Sequence, residues 1–285
     1  MQFIKNMAKG AVIGIATIIP GVSGGTMAVT MGIYDKLIYC LTHLFKEFKK
    51  SIKFLIPILL GAAVALVAGS FGIEFLFQKF PVPTNLFFIG LILGGLPMMT
   101  KKVKGQKIKV GHMISLLVFF ALVVVMGLMG DKEGRAVDLS FNFLNVIILF
   151  IVGVIASATM VIPGVSGSMV LLLLGFYNPI IAQINDFIRS LTSGDFAGVL
   201  KGCGILVPFG IGVVIGIFAI AKLIEIIFEK FPLYANWAII GLIVASPFAI
   251  IFNNLASFSG VTVLTVVSSV ITFVVGFFVA LKLGE

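Results

Sequence analysis

The chain has 285 residues, of which 60% are hydrophobic and only 11% are charged, and its formal net charge is +9. A soluble domain has about one quarter charged residues, so this composition excludes a soluble globular protein, a disordered chain and a coiled coil. The mean hydropathy of +1.23 indicates a polytopic membrane protein, and the apolar stretches are continuous rather than alternating, which favours helices over a β-barrel.

The apolar stretches follow one another along the whole chain. They cover residues 11–34, 54–78, 85–100, 111–130, 142–177, 203–229, 236–252 and 261–281. The first and the fifth are interrupted by Pro-Gly-Val-Ser-Gly, at 20–24 and at 163–167, and proline and glycine break a helix. We therefore expect each of these two to be a re-entrant hairpin of two half-helices, and the others to be simple membrane spans.

The two interruptions belong to an internal duplication. The matching segments, in order, are Pro20–Gly24 with Pro163–Gly167, Gly32–Tyr34 with Gly175–Tyr177, Pro57 with Pro208, Gly61 with Gly212, Glu74 with Glu225, Lys79–Pro81 with Lys230–Pro232, Asn85 with Asn236 and Gly90 with Gly241. So many matches in one order predict an all-α protein built from two copies of one unit, residues 1–135 and 136–285. Each copy is predicted to be a broken hairpin followed by three spans.

The positions of the lysines predict the orientation of these copies. Basic residues lie on both flanks of the first hairpin, at 5–9 and 36–53, and a further cluster follows at 101–109. Because lysine and arginine collect in cytoplasmic loops, both termini are predicted to be cytoplasmic, with 131–138 and 178–202 outside. Three spans per copy then require opposite orientations of the two copies. The net charge thus reflects topology and anionic membrane lipids, not nucleic acid.

The broken hairpins are predicted to form an anion site near the middle of the membrane. Residues 24–26 and 167–169 would begin the second half-helices, whose free N–H groups and partial positive charge suit an anion, and glycine lets the backbone approach it closely. Hydroxyl donors are available at Ser23, Thr26, Ser166 and Ser168. Broken helices that meet in inverted repeats are the general plan of secondary transporters. In the alternative interpretation, each motif is only a turn whose serine caps the next helix.

Two carboxylates, Glu74 and Glu225, occupy matching positions within apolar stretches. An acidic side chain within a membrane usually faces the bundle interior, where it can carry a proton or a cation. Both are therefore candidates for coupling to a proton or sodium gradient. In the structural alternative they lie at the interface and pair with Lys79 or Lys230, and Lys222 is a further local partner for Glu225.

Other polar and small residues receive structural interpretations. His43 and His112 adjoin basic loops and are expected to be solvated, so the sequence indicates no metal site and no cofactor. Asn85 and Asn236 are expected to cap the helices that they begin. The glycines in 61–72 and 202–216 are expected to let helices pack closely.

The paired motifs resemble those of a bacterial membrane family. With Pro-Gly-Val-Ser-Gly-Gly-Thr at 20–26, Gly-Ile-Tyr at 32–34 and Pro-Gly-Val-Ser-Gly-Ser at 163–168, essentially the whole chain resembles polyprenyl-phosphate transporters, formerly a domain of unknown function. The resemblance implies a flippase that returns undecaprenyl phosphate, the carrier of cell-wall precursors, from the outer to the cytoplasmic leaflet of the cytoplasmic membrane. The substrate-binding residues that it implies are Gly21, Ser23, Gly24, Gly25, Thr26, Gly164, Ser166, Gly167 and Ser168.

Three other functions compete with this one. A serine intramembrane protease would need an activating base beside its serine, and neither histidine is expected at membrane depth. An undecaprenyl pyrophosphate phosphatase has similar turns but carries an arginine after the serine, where this chain has Gly24 and Gly167. Enzymes are therefore disfavoured. A small-anion transporter or channel is the third alternative, because an anion site alone does not specify its ligand.

Overall fold

The computed structural model of the chain is all-helical. It describes residues 2–18, 22–129, 137, 139, 141–258 and 261–284, without the side chains of 18, 67–71, 74, 256 and 257. Its α-helices are α1 (Gln2–Ile18), α2 (Gly24–Thr30), α3 (Tyr34–Thr42), α4 (Phe48–Lys79), α5 (Pro81–Gly94), α6 (Leu96–Val103), α7 (Val110–Met129), α8 (Phe143–Val161), α9 (Gly167–Leu173), α10 (Tyr177–Ser193), α11 (Phe196–Lys230), α12 (Pro232–Asn253) and α13 (Val263–Gly284), with a short 3-10 helix at Leu255–Phe258.

Much of this helical structure is long and apolar enough to cross a membrane. Within the described residues there are six such spans, namely Pro81–Val103 and helices α7, α8, α11, α12 and α13. A seventh candidate is the pair α9 and α10, which is bent by 105° at a short break. The prediction of an all-helical polytopic membrane protein is therefore confirmed. The predicted arrangement as two oppositely oriented copies stays a prediction.

The helices form two compact units. The first comprises Met1–Met129, Ile162–Val165 and Ala221–Glu285, and the second comprises Gly130–Val161 and Ser166–Ile220. In the second unit, a core of Leu149, Val152, Phe176, Ile180 and Ile205 joins α8 and α10 to the first half of α11. Residues 178–202, predicted only to lie outside, are thus largely helical, because α10 buries one apolar edge in this core.

Within the first unit, three long helix pairs run parallel. Helix α1 packs along α4, α5 along α13, and α7 along α12. A Cβ atom added to Gly10 would lie 2.1 Å from the Ile58 carbonyl oxygen, and one added to Gly14 would lie 2.4 Å from that of Ala62. The backbones of α1 and α4 are therefore in direct contact, and the two helices run in the same direction. These two glycines let the helices pack closely.

The same kind of contact recurs within the second unit. A Cβ atom on Gly212 of α11 would lie 2.1 Å from the Phe150 carbonyl oxygen, and one on Gly153 of α8 would lie 2.2 Å from that of Phe209. Helix α8 therefore packs along α11 through glycine, as α1 packs along α4. Gly61, the sequence match of Gly212, contacts the Met7 carbonyl in its own unit.

Candidate functional site

Both broken hairpins resume their helices at the residues predicted from the sequence. Helix α2 begins at Gly24 after Ser23, whose backbone is extended with φ −103° and ψ 133°. Helix α9 begins at Gly167 after Ser166, with φ −92° and ψ 119°. Neither serine side chain caps its helix by a hydrogen bond, so the interpretation of these serines as simple caps finds no support. Pro20 and Gly21 lie outside the described residues.

The first motif contacts the beginning of the second. The Gly164 N–H donates a hydrogen bond of 2.7 Å to Oγ1 of Thr26, which is fully buried. A Cβ atom on Gly25 would lie 3.2 Å from Cα of Pro163. Gly164 has a φ of +79°, a conformation that favours glycine because other residues would be strained there. The structure therefore brings Gly25 and Thr26 directly against the Pro-Gly pair of the second motif.

The hydroxyl groups of the second motif lie close to one another. Oγ of Ser166 is 3.1 Å from Oγ of Ser168, and Ser168 is exposed whereas Ser166 is half-buried. At Gly167 an added Cβ atom would lie 2.9 Å from Oγ1 of Thr159. This turn therefore presents two neighbouring hydroxyls on a backbone with little room for a side chain at its centre.

A buried lysine supports the first hairpin, and the sequence did not indicate this role. Lys9 was interpreted as part of a basic flank, but it lies within α1 and is only 7% exposed. Its Nζ donates a hydrogen bond of 2.8 Å to the carbonyl of Met31, the residue that ends α2. A cation is favourable at a helix C-terminus. Since Gly24 at the other end of α2 contacts Thr17, helices α1 and α2 are antiparallel.

The carboxylate of Glu225 lies in a cluster of polar side chains. It is 8% exposed and accepts a hydrogen bond of 2.9 Å from Oγ1 of Thr42. Nδ1 of His43 lies 3.3 Å from the same oxygen, and Lys222 forms an ion pair with the other. The local pair with Lys222 is therefore confirmed. The side chain of Glu74, the matching position, lies outside the described residues.

A cavity of about 310 Å³ adjoins Glu225. The residues that line it are Asp35, Ile38, Tyr39, Glu225, Phe228 and Glu229. At its edge the Tyr39 hydroxyl donates a hydrogen bond of 2.9 Å to Glu47, which also pairs with Lys50. The Lys50 ammonium and this hydroxyl hold the pKa of Glu47 below its ordinary value. This acidic cavity could admit a cation more readily than an anion.

A larger cavity, of about 490 Å³, is lined almost wholly by apolar side chains of α1, α4, α5 and α13. The polar side chains that line this cavity donate hydrogen bonds to backbone carbonyls of the protein. Oγ1 of Thr84 donates to the Phe80 carbonyl, and Oγ1 of Thr272 donates to the Pro83 carbonyl. The surface of this cavity is therefore suited to a hydrocarbon chain.

Two expectations about polar residues are wrong. His112 was expected to be solvated, but it is 2% exposed, packs edge-on against Tyr234 and accepts a hydrogen bond from the Lys109 N–H. Asn85 and Asn236 were expected to cap helices, but α5 begins at Pro81 and α12 at Pro232. Both asparagines therefore lie in the second helical turn. No local sequence signal reports this burial, because tertiary packing determines it.

Comparison with known proteins gives matches along most of the chain. A family described as undecaprenyl phosphate translocase-like matches residues 13–266. The chain is 34% identical to a polyprenyl-phosphate transporter of Staphylococcus aureus over 293 residues, covering 100% of this chain and 98% of the relative. It is 29% identical to a polyprenyl-phosphate transporter of Vibrio cholerae over 202 residues, covering 66% of this chain and 62% of the relative. No solved structure matches the chain.

Proposed function

Because the chain belongs to the undecaprenyl phosphate translocase-like family, we propose that it transports undecaprenyl phosphate from the outer to the cytoplasmic leaflet of the bacterial cytoplasmic membrane. It is a multi-pass membrane protein of a transporter family and not an enzyme. Such transport would return the lipid carrier of cell-wall synthesis to the side on which it is loaded again.

The contact between the two motifs is the structural observation that carries this proposal. A flippase must replace the water around a phosphate with protein donors, because an unpaired anion in hydrocarbon is very costly. The hydrogen bond from Gly164 to Thr26 joins the irregular backbone of the second motif to the first turn of α2, at one place in the first unit. Irregular backbone at membrane depth is tolerated where it lines a cavity or binds a ligand.

In the proposed site, backbone N–H groups and hydroxyls of the two motifs bind the phosphate. The residues are Gly21, Ser23, Gly24, Gly25, Thr26, Gly164, Ser166, Gly167 and Ser168. The glycines leave room for a headgroup close to the backbone. The isoprenoid tail would stay in hydrocarbon, so the site needs to desolvate only the phosphate. No covalent chemistry and no cofactor are required.

We propose further that residues 1–135 and 136–285 are two copies with opposite orientation. The equivalent contacts of Gly61 and Gly212 in the two compact units support the duplication. So does the packing of α5 along α13 and of α7 along α12, in which the second span of each copy pairs with the third span of the other. In this arrangement both termini are cytoplasmic, and the two hairpins give access from opposite leaflets.

Transport by the purified protein in liposomes tests the proposed function. A fluorescent undecaprenyl phosphate should cross between the leaflets much faster in liposomes that contain the protein than in liposomes without it. The transport rate of the double variant Ser23→Ala with Ser166→Ala should be lower than that of the wild type by about tenfold or more, because the variant lacks one hydroxyl in each motif. Ser193→Ala, at an exposed position of α10, is the matched control and should transport normally.

Two results would contradict the proposal in different ways. If the wild-type protein fails to move the lipid although it is folded and inserted, the transport function is wrong. If the wild-type protein transports and the well-folded double variant is equally fast, the function stands but the two serines are not part of its site.

A further inference from the structure

One buried polar side chain, Asn85 of α5, lies in the interior of the first unit without a visible hydrogen bond. It is 0% exposed, and within the part of the chain that the structure describes neither its Oδ1 nor its Nδ2 atom has a hydrogen-bond partner. An amide buried without partners costs about 1–3 kcal/mol of stability, and such groups are rare in native proteins. Polar side chains inside membrane proteins are usually functional for this reason.

Asn236, the residue that matches Asn85 in the second half of the chain, also has an unsatisfied polar atom. Asn236 donates a hydrogen bond of 2.8 Å to the Pro232 carbonyl, but its own Oδ1 is buried and has no partner among the described residues. Both residues follow the same Lys-Phe-Pro sequence by a few positions. An unsatisfied amide oxygen at two corresponding positions is more readily explained by a shared function than by two independent packing faults.

The direction of α5 relative to α2 follows from contacts near the ends of the two helices. Gly95, which follows α5, lies against Thr30 of α2, and Met98, three residues further on, lies against Gly32. Residues Pro81–Val103 form one candidate span. Helices α2 and α5 therefore run in the same direction.

This common direction gives the depth of Asn85 relative to the first motif. A Cβ atom on Gly95 would lie 2.3 Å from Cβ of Thr30, so these two residues are at one level. Gly24 begins α2 about 9 Å before Thr30, and Asn85 lies about 15 Å before Gly95, at about 1.5 Å per residue. Measured along this direction, Asn85 thus lies about 6 Å from the level of Gly24, on the side away from Thr30.

The face of α5 that carries Asn85 is turned towards the interior. Gly90 and Gly94 contact the backbone of α13 at Phe273 and Phe277. At about 100° per residue, Asn85 points about 140–180° away from them. Helix α5 also packs against α2 and α12. The amide is therefore directed away from α13, to a side of α5 that is closed by other helices.

We propose that the amide of Asn85 is a hydrogen-bonding site for the phosphate head of the transported lipid, an inference that rests on the proposed function. The two N–H donors of the amide suit phosphate oxygens, and its carbonyl can accept from a protonated phosphate. Because the amide is neutral, it binds the anion without leaving a fixed charge in the membrane when the anion departs. The amide would thus add a contact for the phosphate to those that the two motifs provide.

The variant Asn85→Leu tests this proposal, because leucine has a similar volume and no polar atoms. The variant should unfold at the same temperature as the wild type or higher, since it removes an unsatisfied group. Its affinity for a short-chain polyprenyl phosphate, measured with purified protein in detergent, should fall about tenfold or more. Ser269→Ala is the matched control: it removes a hydroxyl of α13 that is also buried and for which the described part of the chain offers no partner, and it should leave the affinity unchanged.

Several outcomes would overturn the inference. Unchanged affinity in a folded Asn85→Leu protein would show that the amide does not bind the phosphate. Lower stability with unchanged affinity would identify a structural role. If Asn85→Leu does not fold, the smaller variant Asn85→Ser gives the same readout.

Inorganic phosphate is the second probe: an affinity equal to that for the polyprenyl phosphate would indicate a free-phosphate site instead. A wild-type protein that binds no polyprenyl phosphate would refute the proposed function itself.

Discussion

At the scale of single residues, Glu225 has the clearest electrostatic environment. Its carboxylate is buried in α11, and it is stabilised by the Thr42 hydroxyl, by the nearby His43 ring and by Lys222. Thr42 is the last residue of α3, so this carboxylate joins α11 to the end of α3. An ionisable group in such a position can tie a change of protonation to the movement of one helix against another.

If Glu225 couples transport to a proton gradient, Glu225→Gln should flatten the dependence of the transport rate on pH. Glutamine keeps the size of the side chain and can still accept from Thr42, but it does not ionise. Rates in liposomes at a series of pH values provide the measurement. Glu229→Gln, which changes another acid at the same cavity, is the control. A profile identical to that of the wild type would mean that Glu225 is only structural.

Some of these residues could be predicted from the sequence and others could not. The starts of α2 and α9 at Gly24 and Gly167 were predicted correctly, because proline and glycine act on the local backbone. The burial of Lys9 and His112 was missed. Both adjoin basic stretches, and only the packing of neighbouring helices removes them from solvent.

At the scale of helices, glycine decides how closely the long spans approach one another. Gly61 of α4 and Gly212 of α11 each lie where a side chain would collide with the backbone of the partner helix. Membrane helices gain little from hydrophobic exclusion in lipid, so such close contacts supply much of their association. The spans and their glycines follow from the sequence. Their pairing, such as α7 with α12, does not, because every span has a similar apolar surface.

Two neighbouring glycines of α11 give a matched test of this packing. Gly212→Ala would place a Cβ atom 2.1 Å from the Phe150 carbonyl and should cost about 1–3 kcal/mol, because the two backbones must separate. Gly210→Ala meets nothing within 4 Å and should be neutral or stabilising by up to about 1 kcal/mol, through helix propensity. Reversible unfolding in detergent measures both. Equal effects would show that the contact is not important.

At the scale of the whole molecule, the composition was sufficient to predict a polytopic helical protein, and the paired motifs indicated its family. The orientation of the chain in the membrane depends on where the lysines lie, and they cluster at residues 36–53 and 101–109. That distribution, together with the odd number of spans in each copy, predicts the opposite orientation of the two copies.

Cysteine labelling tests this topology. In a variant without Cys40 and Cys203, single cysteines would replace Lys104, in the predicted cytoplasmic loop, and Ser193, in the predicted external segment. Both positions are exposed. A membrane-impermeant thiol reagent added to intact cells should label position 193 and leave position 104 unlabelled until the membrane is opened. Labelling of both from the same face would contradict the opposite orientation of the two copies.

We propose that a phosphate binds where the two Pro-Gly-Val-Ser motifs meet. A cryo-EM structure of the protein with undecaprenyl phosphate would show the position of the headgroup. We expect density for the headgroup within hydrogen-bond distance of residues 23–26 and of Gly164, with the prenyl chain leading away into hydrocarbon. Density for the headgroup at a distant surface, with the two motifs packed together and no phosphate between them, would show that the motifs are not the binding site.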